Sequence, residues 1–281
     1  MRFLGIALGL LLAGAVAGAA AAPATVNPAS DLAAFHRYFQ QRFPRLALAD
    51  YLNGPYNFNA SERSQWKEIM QFPPYAFALQ EGHELFDKKF PDGKSYGDCF
   101  PHGGIGIAAD YPKFDARTGR VVTLGILINQ CRAGNGLPKL SLTKGAMAAI
   151  ESYMTDTSRG KPIAVTIPDD PRALAAYEAG KKYFYSRHGQ LNFSCASCHM
   201  QSAGMRLRGD TLAPALGLAA IFPIYRSKWG DMGTLVRRFI SCDEKVGAAP
   251  AKPDSDRYRN LAYFLTYMSN GVPLGGPAAR P

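Results

Sequence analysis

Cys195-Ala196-Ser197-Cys198-His199 forms a C-x-x-C-H motif in the second half of the chain. Thiols at this spacing can form thioether bonds with the vinyl groups of a haem, and His199 can then bind the iron as its proximal ligand. The alternatives are a redox-active dithiol, which does not need the histidine, and half of a zinc site. A zinc site needs further ligands at matching spacing, and the chain has no second C-x-x-C. The motif therefore predicts haem c attached through Cys195 and Cys198.

The first residues predict export. A basic start, Met1-Arg2-Phe3, is followed by an uncharged apolar run from Leu4 to Ala22 that ends in small residues. This pattern is typical of a signal peptide, assigned to residues 1–21, and cleavage directly before Pro23 is disfavoured. Because haem c is attached in the bacterial periplasm and disulfides persist there, we expect the mature protein in the periplasm. No later run approaches about 18 apolar residues, so no membrane span is expected after signal removal.

The net charge of +10 points to anionic partners. The basic residues are dispersed, and nucleic acid is not expected as a partner of an exported protein. A cationic surface attracts an anionic substrate or an acidic protein instead. Of the five cysteines, the motif uses two, which leaves Cys99, Cys131 and Cys242. In an oxidising compartment two of these should pair, and one thiol remains over.

An internal repeat of about a hundred residues follows from two similar stretches, Tyr75–Phe86 and Leu174–Phe184. Both are apolar at helical spacing and contain one glycine, Gly82 or Gly180, and each is followed by a cysteine-containing loop. Each half ends in an apolar helix, and these closing helices contain Tyr153 and Tyr267. A glycine without a Cβ lets two helices cross closely. We therefore predict a mainly α fold of two tandem cytochrome c-like domains, with helix crossings at both glycines.

The two halves differ at the motif. The first half has Cys99-Phe100-Pro101-His102, which cannot form two thioethers, so only the C-terminal domain is expected to carry haem. Cys99 and Cys131 are then free to bond to each other, and such a bridge would stabilise the fold by about 3–4 kcal/mol. The predicted organisation is a signal peptide at 1–21, an N-terminal arm at 22–50, a haem-free domain at 51–160, a linker at 161–171 and a haem domain at 172–281.

Two residues compete for the second axial position of the iron. Met232 is the credible methionine, because Met200 and Met205 lie too close to His199 in sequence and Met268, whose counterpart in the first half is Met154, is expected to be a packing residue. Cys242 is the competitor, and it stands among basic residues, namely Arg226, Lys228, Arg237, Arg238 and Lys245. Positive neighbours lower the pKa of a thiol and favour the thiolate, which ligates iron and attacks sulfur. The same cluster would attract a dianion such as thiosulfate. A buried, inert thiol beside a solvated basic face is the plain alternative.

Three further stretches carry a family resemblance: Phe222-Pro223-Ile224-Tyr225-Arg226-Ser227-Lys228-Trp229-Gly230, Arg237-Arg238-Phe239-Ile240-Ser241-Cys242 and Tyr267-Met268-Ser269-Asn270-Gly271. Together with the C-x-x-C-H motif, they resemble the SoxA subunits of the SoxAX cytochromes of bacterial sulfur oxidation. Members of this family have two cytochrome c domains. The loss of the first motif resembles the single-haem branch, which implies one haem c and a disulfide between Cys99 and Cys131.

The resemblance also implies an activity. SoxAX, an L-cysteine S-thiosulfotransferase, joins thiosulfate to a cysteine of the SoxYZ carrier protein and releases two electrons. By position, His199 would be the proximal ligand and Cys242 the axial thiolate, which is often a persulfide in the family. Arg238 would hold the substrate. Electrons would pass to SoxX, a separate cytochrome c subunit. Lys245-Val246-Gly247 departs from the more basic run expected there, so the other substrate-facing basic residues stay open.

Two rival hypotheses belong to other functional classes. One is a periplasmic electron carrier with His199 and Met232 as axial ligands. The other is a subunit whose haem is structural and whose partners do the chemistry.

Overall fold

The computed structural model describes residues 26–280, so the signal peptide predicted for residues 1–21 lies outside the described residues. The described part is mainly helical, which confirms the predicted class. Its α-helices are α1 (Pro28–Arg42), α2 (Ala60–Ile69), α3 (Ala76–Asp87), α4 (Leu124–Gly134), α5 (Ala146–Asp156), α6 (Pro171–Tyr185), α7 (Leu235–Lys245) and α8 (Asp256–Tyr267).

Short strands join the helices. They are β1 (Lys113–Asp115), β2 (Arg120–Val122), β3 (Arg206–Leu207), β4 (Asp210–Thr211), β5 (Ile224–Arg226), β6 (Asp231–Gly233) and β7 (Ala278–Arg280). The pairs β1–β2, β3–β4 and β5–β6 are antiparallel. Strand β7 pairs with β5 in parallel and places Arg280 opposite Arg226. The chain's last described residue is thereby brought to the second half.

The same order of elements occurs twice. A helix, a loop, a two-stranded hairpin and two helices make up α3–α5 with β1–β2, and again α6–α8 with β5–β6. Thr123 and Thr234 cap the helices α4 and α7 in the same way, each accepting a hydrogen bond from a backbone N–H three residues later. Cys131 and Cys242 each lie seven residues after the first residue of their helix. The two cysteines therefore occupy corresponding positions. The boundaries of the predicted domains stay a prediction.

Both predicted glycine crossings are confirmed. A Cβ at Gly82 in α3 would collide with the backbone of Ala149 in α5, and a Cβ at Gly180 in α6 would collide with the backbone of Asn260 in α8. The backbones of the paired helices therefore touch, which only glycine permits. These crossings are the centres of the α3–α5 and α6–α8 pairs, whose surrounding side chains form the core.

The N-terminal arm packs on the second half. In α1, the ring of Phe35 contacts Phe184 with centroids 6.4 Å apart, and the Tyr38 hydroxyl donates to the Met200 carbonyl at 3.1 Å. The following 3₁₀ segment, Leu48–Asn57, continues across the face that carries the C-x-x-C-H motif. The arm is therefore part of the wall around the candidate site.

The connection predicted as a linker is hydrogen-bonded along its first part. The Ile163 N–H donates to Val272 at 2.9 Å, and the Leu274 N–H donates to Lys161 at 2.8 Å. The segment is thus held against the chain's C-terminal part. Among residues 26–280, none of the helices has both the length and the apolar character that crossing a membrane requires.

Glu151 carries a half-buried carboxyl group between the two halves. It lines a cavity of about 120 Å³ together with residues of α4, α7 and α8. Burial raises the pKa of Glu151 from 4.5 to about 8, although a hydrogen bond from the Gly125 N–H opposes the shift. Glu151 is therefore protonated at neutral pH.

We expect Gly180→Ala to destabilise the protein by about 3 kcal/mol, because two packed backbones must separate to admit a methyl group. The measurement is denaturant unfolding of the purified protein. Gly134→Ala is the matched control, since nothing lies within 4 Å of a Cβ at this helical position. Equal stabilities of the two variants would contradict the crossing.

Glu151→Gln removes the titratable carboxyl group but keeps an oxygen that can accept the hydrogen bond from the Gly125 N–H. In the parent, the unfolded chain loses this proton first as the pH rises, so stability falls between pH 4.5 and about 8. We expect the variant to match the parent near pH 4 and to gain over it by about 1.4 kcal/mol per pH unit within that interval. Unfolding at several pH values measures the difference, and a pH-independent difference would contradict the account.

Candidate functional site

A cavity of about 580 Å³ opens in the second half. Its wall contains Cys195, Cys198, His199 and Cys242, which the sequence singled out. Arg238, the expected substrate-binding residue, also lines it. The cavity is thus where five of the predicted site residues meet.

The turn that carries the motif is fixed by local hydrogen bonds. The backbone N–H groups of Ser194 and Ser197 donate to each other's hydroxyl oxygens at 3.1 and 3.0 Å. The chain then continues as one turn of π-helix, Ser197–Gln201. His199 is oriented by its Nδ1 atom, which is 2.8 Å from the Ala213 carbonyl oxygen. Since a carbonyl only accepts, Nδ1 carries the proton and Nε2 keeps a lone pair for a metal.

The motif cysteines are ordinary thiols in this cavity. Burial raises the pKa of both Cys195 and Cys198, and the nearby Cys242 adds to the shift. Both are half-buried and free in the structure. Haem c needs two free thiols for its thioether bonds and one imidazole nitrogen for its iron. Cys195, Cys198 and His199 supply these groups.

Cys242 differs from them in charge. It lies in the last part of α7, and its burial by itself raises the pKa of the thiol. Arg238, the imidazole of His199 and Lys245 outweigh burial and lower the pKa to about 7. A substantial fraction of this sulfur is therefore thiolate at neutral pH, and it is a neighbour of His199 in the same cavity.

Adjacent arginines of α7 point to different places. The Nη1 atom of Arg238 is buried at the cavity and has no hydrogen-bond partner among the described residues. Arg237 turns away, with its guanidinium 4.4 Å from the Trp229 ring centroid and its Nη1 donating to the Met232 carbonyl at 2.9 Å. Of the pair, Arg238 alone is placed for an anion in the cavity.

Lys245 and Arg226 are among the further basic residues that line the cavity. Lys245 is 3.7 Å from an oxygen of Asp210, and burial together with the charge of Arg238 lowers its pKa to about 8. Burial and the charge of Arg238 likewise lower the pKa of Arg226 to about 10. Which of these basic residues contacts the substrate besides Arg238 stays open.

Met232 is not placed as an iron ligand. Its side chain is 4% exposed and packs against Tyr75, Ala148 and Ala279. These contacts are in a cluster separate from the cavity wall. Among the described residues, no group of three or more His, Cys, Asp or Glu side chains is placed to hold a metal ion.

Asp243 is a functional neighbour that sequence reasoning missed. It is 3% exposed and accepts hydrogen bonds from the hydroxyls of Tyr183, at 2.8 and 2.9 Å, and Tyr258, at 2.8 Å. These bonds tie the end of α7 to α6 and α8. Because Asp243 follows Cys242 directly, they also hold the backbone that carries the Cys242 sulfur. The acidic pair Asp243-Glu244 directly after Cys242 was the available signal.

Cys99 and Cys131 form a disulfide in the first half, with Cα atoms 5.8 Å apart. Cys131 holds the place in α4 that Cys242 holds in α7. The loop that ends at Cys99 corresponds to the one that carries the motif. In the first half these elements are bonded together, whereas in the second half a cavity lies between them.

Comparison with known proteins gives a family match. The profile of the SoxA/TsdA cytochrome c domain matches residues 81–163 and 179–274. The chain is 46% identical over 277 residues to the L-cysteine S-thiosulfotransferase subunit SoxA of Allochromatium vinosum, covering 97% of this chain and 98% of that protein. It is 44% identical to the protein of the same name from Chlorobaculum tepidum, covering 89% of this chain and 87% of that one.

A solved structure agrees with these matches. The crystal structure of SoxXA from P. pantotrophus superposes with a TM-score of 0.70 at 29% identity, covering 78% of this chain and 84% of that chain. The similarity thus extends through both halves of the fold.

Proposed function

This chain belongs to the SoxA family, and we propose that Cys242 is the sulfur on which it performs the family's reaction. It is an L-cysteine S-thiosulfotransferase subunit that couples thiosulfate oxidatively to a cysteine of the SoxYZ carrier protein. The observation that carries the proposal is the position of Cys242. Its thiol has a pKa of about 7 in a cavity shared with Arg238 and the C-x-x-C-H motif.

The cofactor proposed for the cavity is one haem c. Cys195 and Cys198 would form the thioethers, and His199 and Cys242 would bind the iron. The oriented Nε2 of His199 and the thiolate character of Cys242 fit these roles. When bound, haem c supplies a one-electron acceptor beside the reacting sulfur. The first half holds no haem in this proposal, because Cys99 and Cys131 are bonded to each other.

Arg238 is proposed to bind the substrate. A guanidinium presents several donors in a planar fork that suits the oxygens of a sulfonate. Its unpartnered Nη1 and the nearby Lys245 leave positive charge facing the cavity. Thiosulfate is a dianion, so these charges hold its sulfonate end and direct the outer sulfur toward Cys242.

The chemistry then needs two steps at sulfur. The Cys242 thiolate forms a bond to the outer sulfur of thiosulfate, giving a Cys242 thiosulfonate and releasing two electrons. The thiolate of the carrier cysteine next attacks that outer sulfur. The Cys242–sulfur bond breaks, the thiosulfonate group passes to the carrier, and the Cys242 thiolate is restored. Atoms and charge balance in both steps, with two equivalents of an external one-electron oxidant, such as a ferric cytochrome c, accepting the two electrons.

The proposed setting is the periplasm. The signal peptide assigned to residues 1–21 would direct export, and haem attachment and disulfide formation both occur there. A SoxX-like cytochrome c subunit is the proposed partner, in keeping with the SoxXA complex to which this fold is similar. The SoxYZ-like carrier is the second protein that must reach Cys242.

Cys242→Ala is expected to abolish thiosulfate coupling while covalent haem is retained, because it removes the attacking sulfur but neither thioether. The measurements are coupling activity with carrier protein and an intact mass spectrum, which counts one haem. Ser241→Ala, one residue earlier on α7, is the matched control. Full activity of Cys242→Ala would overturn the catalytic role and favour the electron carrier with another axial ligand.

Arg238→Gln and Arg237→Gln form a matched pair of charge removals. We expect Arg238→Gln to lower kcat/KM for thiosulfate about 10- to 100-fold, since a hydrogen bond to a charged group contributes about 1.5–3 kcal/mol. Arg237→Gln should change it little, because that guanidinium lies on Trp229. Steady-state kinetics distinguish the two, and equal losses would argue against a specific site at Arg238.

A further inference from the structure

Arg280 is a buried cation that the reaction does not use. It ends strand β7, its exposed fraction is 8%, and it lines the cavity of the motif. Its guanidinium donates to the carbonyl oxygens of Leu52 at 2.8 Å and Ala279 at 2.9 Å. None of the ion pairs among residues 26–280 includes it. Burying a charge without a counter-ion is costly, so the site favours an anion.

Two buried hydroxyls stand on the same wall. Tyr51 and Tyr56 are 3% and 1% exposed, both line the cavity, and neither hydroxyl donates a hydrogen bond to an acceptor among the described residues. The Tyr56 ring lies 4.6 Å from the guanidinium carbon of Arg280 and stacks on Trp66. Unpaired donors in a buried place cost about 1–3 kcal/mol each, so an acceptor is expected to meet them.

Resting on the haem proposed above, we propose that Arg280, with the hydroxyls of Tyr51 and Tyr56, binds the propionate carboxylates of haem c. Propionates lie on the side of a haem away from its vinyl groups. Attachment at Cys195 and Cys198 therefore directs them to a wall not formed by the motif. The segment Leu48–Asn57 and β7 supply lining residues of this cavity that are outside the motif, among them Tyr51, Tyr56 and Arg280.

The substrate is the other anion that this cavity receives, and burial distinguishes the two. Thiosulfate must end on a cysteine of another protein, so its site has to be reachable from outside. Arg280 is instead covered by the rings of Tyr56 and Trp66 and held against the backbone of Leu52. A covered site suits a carboxylate that stays bound. Arg238 and Lys245, near Cys242, remain the substrate's cations.

The test is the midpoint potential of the covalently bound haem in Arg280→Gln, Tyr56→Phe and the control Arg206→Gln, an exposed arginine that lines the same cavity. Removing a cation near the iron disfavours reduction. We expect Arg280→Gln to shift the ferric–ferrous equilibrium about tenfold toward ferric, about 59 mV for one electron. Tyr56→Phe should shift it less in the same direction. Resonance Raman bands of the propionates should move in both variants and stay unchanged in Arg206→Gln.

Haem-bearing variants with the parent's potential and propionate bands would overturn this inference and leave the proposed function standing. So would a higher KM for thiosulfate as the sole effect of Arg280→Gln. Tyr56→Phe keeps the test decisive should Arg280→Gln fail to fold, because it removes a single oxygen. A parent protein without haem in its mass spectrum would overturn the proposed cofactor and this inference with it.

Discussion

Contact between helix backbones at Gly82 and Gly180 is the constraint on which the rest of the molecule depends. Each contact holds the first and last helices of one half at van der Waals distance. The middle helix and the loops of that half pack around the pair. Alanine at either position would push the pair apart. In the second half, Tyr183 of α6 and Tyr258 of α8 donate hydrogen bonds to the carboxylate of Asp243. These bonds hold the end of α7, where Cys242 lies.

The two halves share one order of elements but differ at the cysteine of the middle helix. In the first half, Cys131 of α4 is bonded to Cys99, and the space between helix and loop is closed covalently. In the second half, the corresponding Cys242 faces a cavity in which cations outweigh burial and lower the pKa of the thiol. The first half therefore has a structural role, and the second half contains a thiol with thiolate character. The N-terminal arm and strand β7 complete the cavity from outside the repeat.

Much of this was predictable from sequence. The haem motif and the helix periodicity could be predicted because each depends on residues close together in the chain. The crossings at Gly82 and Gly180 could be predicted from the internal repeat, although Ala149 and Asn260, the residues that they contact, lie far along the chain. Cys242 and Arg238 are one helical turn apart, so their shared environment could also be anticipated. Arg280, Tyr51 and Tyr56 could not be, since more than 200 residues separate the arginine from the tyrosines. Only the parallel pairing of β7 with β5 and the path of the arm bring them together.

The central claim is that a covalent intermediate forms on Cys242. The most direct test incubates the haem-bearing protein with thiosulfate and ferricyanide, without carrier protein. The protein is then digested, and its peptides are analysed by mass spectrometry. The account predicts a thiosulfonate on the peptide containing Cys242, removed when the carrier is added. An unmodified Cys242 in a preparation that couples thiosulfate to the carrier at the full rate would contradict it.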